Sequence, residues 1–374
     1  MNDKQQPLIE VYGHGGDVET AAAAFGGSAG DFLDYSANIN PLGPPPGVVT
    51  ALQEGMSAVI RYPDPGHRNF KERLAAELDT DTQCILVGNG AAECMALLLM
   101  GLQPGKVGVV DPCFSEYREL SSKFGSDICS VCGHPEQDWR ADKADVLKLL
   151  ARTDLLFLGQ PNNPNGVQYS LEDIREFAAY AEEERTWLVL DEAFIDFIPL
   201  EDRQTLMPEL QNYSRTIIVR SMTKFYAIPG LRLGYTVAHP DVIRKMAGKQ
   251  VTWSVNGLAL LAGEACLGSG REYEQHTLQL IGAEREKLIR RLRELGLDVT
   301  PGEANFLLIE LPQPWTAEIF QKEMGIRGVL VRSCAMYPGL GERHIRLAVK
   351  DAEANGRLLV IISEVLGISL ADAT

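Results

Sequence analysis

Long apolar runs are missing from this chain. The longest, residues 95–102, falls far short of the roughly 20 residues a membrane-spanning helix needs, so no membrane partner is expected. The first residues, Met1-Asn-Asp-Lys-Gln-Gln-Pro, hold no apolar stretch, and no secretory signal peptide is expected. Positive charge is scarce: 35 Lys and Arg face 51 Asp and Glu, a net charge of −16. Such a molecule repels a phosphate backbone, which argues against nucleic acid as a partner and for a soluble, acidic, cytoplasmic protein. Any anionic ligand must be held by local arginines against that overall field. The seven cysteines are an odd number without a framework. Cys129-Ser-Val-Cys132 is a C-x-x-C pair, open to a redox role or to half a zinc site. No second pair with ligand spacing follows, and the pair lies in a strand-like run, so a structural role is favoured and no metal is expected. Internal repeats and low-complexity segments are absent as well.

What is present is enough apolar residue for two cores: 374 residues, 45% of them apolar, suit one large domain and a smaller one. From about residue 68 to 250, strand-like runs (84–88, 107–111, 128–132, 154–159, 186–191, 215–221 and 233–239) alternate with helical patterns such as 91–101, 142–151 and 171–184. That alternation predicts an α/β domain with a largely parallel sheet. The link from Ser221 to Leu233 is too short for a helical crossover, so the last strand is expected antiparallel to its predecessor. Beyond His239 the pattern changes to helices at 256–267 and 271–295, strands at 304–311, 329–332 and 344–349, and a helix near 351–366, a smaller α+β domain. The expected division is an N-terminal arm with part of the small domain (1–45), a large ligand-binding domain (46–255) and a small C-terminal domain (256–374). Pro41-Leu-Gly-Pro-Pro-Pro46 is expected to be irregular and to wrap a surface.

Ser221-Met-Thr-Lys224 carries a lysine one turn after a serine, and Arg232 follows just past a Pro-Gly bend. A lysine that forms an imine, beside a serine and an arginine that hold a phosphate, points to pyridoxal phosphate, which has both an aldehyde and a phosphate. Two further positions fall at the carboxyl ends of predicted strands, where ligands bind in open α/β sheets. Asp191 would pair with the protonated pyridine nitrogen, a charge-assisted bond of about 1.5–3 kcal/mol that keeps the ring electron-accepting. Asn165, in Gln160-Pro-Asn-Asn-Pro-Asn-Gly166, would donate to the ring's phenolic oxygen. Backbone N–H groups of Gly90, Ala91 and Ala92 at a helix start would join Ser221 and Arg232 on the phosphate. Phe114 would cover the ring face. Cationic neighbours and partial burial would lower the Lys224 pKa and free its amine. Taken singly, an aspartate at a strand end is usually a cap or a surface charge, Asn-Pro-Asn-Gly is usually a turn, and a phenylalanine is usually core. Their joint order at successive strand ends favours one shared site.

Other motifs compete. Gly88-Asn-Gly-Ala-Ala-Glu93, with Asp111 ending the next strand, approaches a dinucleotide fingerprint, but its sixth position is Glu93 rather than Gly or Ala. Gly26-Gly-Ser28-Ala-Gly30 formally matches a nucleophile elbow, but Thr20-Ala-Ala-Ala-Ala-Phe25 before it favours helix where the elbow needs a strand. Ser221-x-x-Lys224 matches a β-lactamase motif, without the Ser-Asp-Asn or Lys-Thr-Gly that should follow.

Tyr62-Pro-Asp, Gly90-Ala-Ala-Glu93, Asn162-Asn-Pro-Asn-Gly166, Asp191-Glu-Ala193 and Ser221-Met-Thr-Lys224 to Arg232 together resemble the fold-type I, class I/II aminotransferase superfamily over nearly the whole chain. His14-Gly-Gly-Asp17, Tyr35-Ser-Ala-Asn-Ile-Asn-Pro-Leu-Gly43 and Phe194, where aminotransferases usually carry tyrosine, are similar to its threonine-phosphate decarboxylase branch, beside the histidinol-phosphate aminotransferases. The resemblance implies conversion of L-threonine O-3-phosphate to (R)-1-amino-2-propanol O-2-phosphate and CO2 in cobalamin biosynthesis. It implies a homodimer in which Tyr62 reaches the neighbour's cofactor phosphate. It also assigns His14, Gly15, Asn38, Asn165, Arg332 and Arg346 to a small phosphorylated amino-acid substrate. The two arginines are plausible independently, since guanidinium forks on consecutive strands suit a phosphate and a carboxylate. A histidinol-phosphate aminotransferase remains the alternative. A non-catalytic sensor fused to a DNA-binding regulator would need an appended basic helix-turn-helix segment, and neither terminus carries one.

Overall fold

The computed structural model describes residues 14–368; residues 1–13 of the expected N-terminal arm lie outside the described residues. Apolar runs flanked by helices form a seven-stranded sheet of β1 (Ile85–Gly88), β2 (Lys106–Asp111), β3 (Asp127–Cys132), β4 (Leu155–Gly159), β5 (Trp187–Asp191), β6 (Thr216–Ser221) and β7 (Gly234–Val237), in the order β1-β7-β6-β5-β4-β2-β3. Pairs β2–β3, β2–β4, β4–β5 and β5–β6 are parallel, and β7 runs antiparallel to both its neighbours. The short link after Ser221 therefore has the consequence expected of it. The expected strand limits run one to two residues long at several ends, because Cys84, Thr186, Arg215 and Leu233 lie in the lead-ins.

Both sheet faces are covered, which explains strands without a polar alternation. Leu156, Leu158, Leu188, Leu190 and Ile218 enter one core; Leu155, Phe157, Val189, Ile217 and Val219 enter the other. Each such side chain contributes about 1.5–3 kcal/mol on burial. Helix Gly257–Leu267 packs into the first of these cores through Ala259, Leu260, Ala262 and Cys266. Helix Ser115–Lys123 buries only Tyr117 and Ser121, so its place depends on those few residues. Pro46 is a correction to the irregular proline stretch: it opens helix Pro46–Gly55, where its fixed φ and missing N–H cost nothing.

A second, four-stranded sheet joins β8 (Phe306–Glu310), β9 (Arg332–Ser333) and β10 (His344–Ala348) to the short strand Asp298–Val299. The single strand expected at 329–332 is divided. Val329–Leu330 pairs in parallel with Leu33–Asp34, while Arg332–Ser333 pairs with β10. The strand changes partner at Val331, which brings the segment before Ser36 onto the small domain. Cys129 and Cys132 stand three apart on β3 and so point to opposite faces, which rules out a shared metal or a disulfide between them there. No helix of the described residues is long and apolar enough to cross a membrane.

Candidate active site

The carboxyl end of β5 delivers Asp191, which is buried. Its Oδ1 accepts the Ala193 N–H at 3.1 Å and its Oδ2 accepts the Tyr117 hydroxyl at 2.7 Å. Burial pushes its pKa up to about 6 against these two bonds, with the Glu192 charge adding to the rise. Glu192 faces the other way. Its carboxylate takes Nε and Nη2 of Arg220 at 2.9 and 2.8 Å and the Thr205 hydroxyl at 2.5 Å. This ion pair, fully buried, ties the strand end carrying Asp191 to the one carrying Ser221.

At the end of β6, Ser221 caps the one-turn helix Met222–Phe225, its Oγ accepting the Thr223 N–H at 3.3 Å and lying 2.8 Å from the Thr223 hydroxyl. Lys224 lies in that turn. Burial first, then the Arg346 and Arg232 charges, lower its pKa to about 8, with Asp34 opposing. The turn is anchored from the arm: Asn40 N–H donates to the Lys224 carbonyl at 3.1 Å, and Asn40 Nδ2 to that of Phe225 at 2.8 Å.

Gly90 ends the link after β1 with φ +80°, and helix Ala91–Leu102 begins there. A Cβ on Gly90 would stand 2.6 Å from Arg232 Nη2, so the guanidinium lies directly over the glycine. Gly234 is needed for the same closeness, since its Cβ would meet Ala91 N at 2.6 Å. The first N–H groups of the helix, those of Ala91 and Ala92, form with Arg232 and Ser221 a place for an anion; the Gly90 N–H, expected to join them, donates instead to the Gly88 carbonyl at 2.8 Å. Glu93 serves the loop rather than a ribose: it accepts the Asn89 N–H at 2.5 Å and the Ser254 hydroxyl at 3.2 Å. Asp111 is likewise engaged by Arg118. Ser28 lies beyond helix Val18–Phe25, exposed and bonded to Asp31, so no elbow exists there.

Opposite lie the four-stranded sheet and the segment 14–38. Arg332 and Arg346 are directly across from each other in the β9–β10 register. Like charges so placed repel, an arrangement suited to anions between or beside them. Arg346 reaches Asn163 Oδ1 at 2.6 Å and the Ser36 carbonyl at 2.7 Å, and sits 5.4 Å over the Phe306 ring. Phe306 in turn meets Phe194 edge-on at 4.9 Å. Gly15 packs so tightly on Ser36 that a Cβ would be 2.3 Å from its carbonyl oxygen, and Gly16 N–H donates to Ser36 Oγ at 2.8 Å. His14 pairs with Glu116 at 2.7 Å, its ring 6.0 Å from that of Phe114. Asn38 is buried with its Oδ1 unbonded among the described residues.

Asn165 departs from expectation. Its Nδ2 donates to the Asp138 carbonyl and its Oδ1 accepts from Asn162, both at 2.8 Å, so its amide braces the loop. Asn163, two residues earlier, is the one beside Arg346. Tyr62 stands apart: it is 78% exposed and stacks on Trp253 at 4.3 Å. Asn163 and Ser36 lie inside motifs the sequence offered without being singled out, and Tyr117 carries no sequence signature of its own. Only the spacing of Tyr117, three residues after Phe114 on one helix, places it near a site residue.

A lysine with a lowered pKa, a buried carboxylate and a glycine-lined helix start under an arginine fit pyridoxal phosphate, by the donor chemistry and by the space kept open at Gly90. The family model for aminotransferase class I and II matches residues 30–362. The chain is 38% identical over 362 residues to a threonine-phosphate decarboxylase of Salmonella typhimurium, covering 96% of this chain and 98% of that protein. It is 35% identical over 342 residues to a histidinol-phosphate aminotransferase of Symbiobacterium thermophilum, covering 90% and 91%. The solved structure of a histidinol-phosphate aminotransferase from Clostridium acetobutylicum superposes with a TM-score of 0.83 at 30% identity, over 89% of this chain and 98% of that one.

Proposed function

Because the chain belongs to the class I and II aminotransferase family, we propose that it is a pyridoxal-phosphate-dependent carboxy-lyase. Its substrate is L-threonine O-3-phosphate, its products (R)-1-amino-2-propanol O-2-phosphate and CO2, and its setting cobalamin biosynthesis in the cytoplasm. The observation that carries this reading is the end-to-end likeness to a threonine-phosphate decarboxylase. The ring of Phe194, without a hydroxyl, packed into the site supports it.

Bound there, the coenzyme supplies a ring that accepts the electrons of a bond broken at the substrate's Cα. Lys224 holds the aldehyde; with a pKa near 8, roughly a tenth of it is the free amine at neutral pH, against well under a thousandth at the ordinary value. Asp191 would pair with the ring nitrogen. Ser221, Arg232 and the N–H groups of Ala91 and Ala92 would take the coenzyme phosphate over Gly90, and Phe114 would cover the ring. Asn163, beside Arg346, would serve the ring oxygen in place of Asn165, whose amide is engaged within its loop. Arg332 and Arg346, with His14, Gly15 and Asn38, hold the substrate's phosphate and carboxylate. These arginines would select decarboxylation by fixing the orientation of the substrate's carboxylate. Displacements of about 1 Å change such rates on the order of a hundredfold.

The reading includes a homodimer, with Tyr62 given to the neighbour's coenzyme phosphate. Exposed Val49, Met56, Val59 and Ile60 shortly precede Tyr62, and exposed Trp253, stacked on it, lies two residues from exposed Val251; these suit a buried interface. The test is CO2 release from threonine phosphate without any keto acid, with Lys224→Ala as the blank. Release by the wild type alone is the expected result. No release, together with 2-oxoglutarate-dependent turnover of histidinol phosphate, would make the protein an aminotransferase.

A further inference from the structure

Tyr117 is fully buried, yet it contributes little that packing alone requires of a tyrosine. Its ring lies flat on Phe157 of β4, centroids 5.0 Å apart and planes 7° apart, and meets Phe114 edge-on at 5.7 Å. A phenylalanine would make the same contacts. The hydroxyl is the exception: it is spent on Asp191 Oδ2 at 2.7 Å, across 74 residues of sequence. We propose that Tyr117 is a positioning residue for Asp191, its hydroxyl fixing the carboxylate's orientation and keeping it ionised to face the coenzyme's ring nitrogen. The proposal rests on the coenzyme reading above and goes beyond it by naming the group on which the aspartate's charge depends.

The two oxygens of Asp191 take different donors. The Ala193 N–H on Oδ1 comes from the same chain turn and moves with the aspartate. The Tyr117 hydroxyl comes from helix Ser115–Lys123, so it fixes rotation about the side chain from outside. A buried carboxylate with fewer donors takes up a proton more readily, since burial penalises its charge. Burial also holds the Tyr117 hydroxyl well above its ordinary pKa, so it remains a donor throughout the working range. The charged and titratable groups around the pair are few. Glu192 follows Asp191 on the chain and repels its charge, though Arg220 of β6 neutralises it. Cys113, buried and protonated, borders Tyr117 from the end of β2. Of the side chains around Asp191, Tyr117 is the one that donates to it among the described residues.

Tyr117→Phe deletes one oxygen and keeps the stacking. The experiment measures coenzyme affinity of the apoprotein by tryptophan fluorescence from pH 5 to 8.5, with the apoprotein's thermal midpoint alongside. Asp191 must be ionised to hold the ring nitrogen, so affinity is present above its pKa and lost as pH falls through it. Wild type should lose affinity as pH falls through about 6. In Tyr117→Phe the midpoint of that loss should rise by about one pH unit, with coenzyme bound about twofold more weakly at the new midpoint and approaching tenfold more weakly below both midpoints. Asp191→Asn should flatten this part of the profile, which separates it from titration of the coenzyme's own phosphate. A Tyr117→Phe profile that overlays the wild type overturns the proposal. So does an equal weakening at every pH with a lowered thermal midpoint, the mark of a packing role. If the wild type itself binds no coenzyme at any pH, the coenzyme reading fails and the proposal with it.

Discussion

On the large-sheet side of the site, Asp191, Ser221 and Gly90 sit where strands end and helices begin, whereas on the small-sheet side Arg332 and Arg346 are long side chains facing each other across a strand pair. The first set is aimed by backbone: a strand end, a cap, a positive-φ glycine. The second is aimed by contacts between segments far apart in sequence, such as Arg346 to Ser36, 310 residues away. Backbone-aimed groups suit a coenzyme that stays, and side-chain forks suit a substrate that comes and goes. Asn163 belongs to both, since it sits on the large-sheet loop and receives Arg346.

Breaking the large-sheet side from beneath should have the largest effect. Arg220→Met leaves Glu192 buried without its cation, and we expect the apoprotein to lose about 3–5 kcal/mol in chemical denaturation. An unchanged unfolding midpoint would mean that the pair does not hold these strand ends together.

On the other side, Arg346→Gln should raise KM for threonine phosphate about a hundredfold while coenzyme affinity stays within about threefold. It should also remove a charge that depresses the Lys224 pKa. The sign is upward: a lysine relieved of a neighbouring cation holds its proton to higher pH. The rate at which apoprotein captures coenzyme should therefore rise at a more alkaline pH than in the wild type. A coenzyme affinity that collapses along with KM would erase the distinction between the two sides.

The finest division is between two asparagines of one loop. Asn163→Ala should lower kcat/KM about tenfold, the loss of one or two hydrogen bonds at the site, with little change in thermal midpoint. Asn165→Ala should instead cost about 1–3 kcal/mol of stability by orphaning buried partners, and leave the coenzyme's absorption spectrum as it was. The reverse pattern would return the site role to Asn165.

Most of the large sheet was legible because buried strands and their covering helices leave local, periodic marks. The antiparallel turn of β7 followed from a link too short to cross the sheet. The positions of Lys224, Asp191 and Gly90 were legible for the same reason, since they stand at the ends of such runs. Asn165 was misplaced because Asn162, Asn163 and Asn165 are chemically alike, and only the direction of each amide tells them apart. The break at Val331 was hidden because the short run Val329-Leu-Val-Arg332 looks alike whether it pairs with one strand or two. Tyr117 looked like any core aromatic, since nothing local tells where a hydroxyl ends.

The order of residue types along the chain was enough to determine an α/β sheet, the strand ends that carry the site, and a lysine beside a place for phosphate, because these depend on backbone geometry within a few residues. Tertiary structure alone decided that Tyr117 meets Asp191, that Arg332 faces Arg346, and that Asn163 rather than Asn165 meets Arg346. Those are contacts of a few ångströms between groups aimed by packing, and sequence spacing carries no information about direction at that scale.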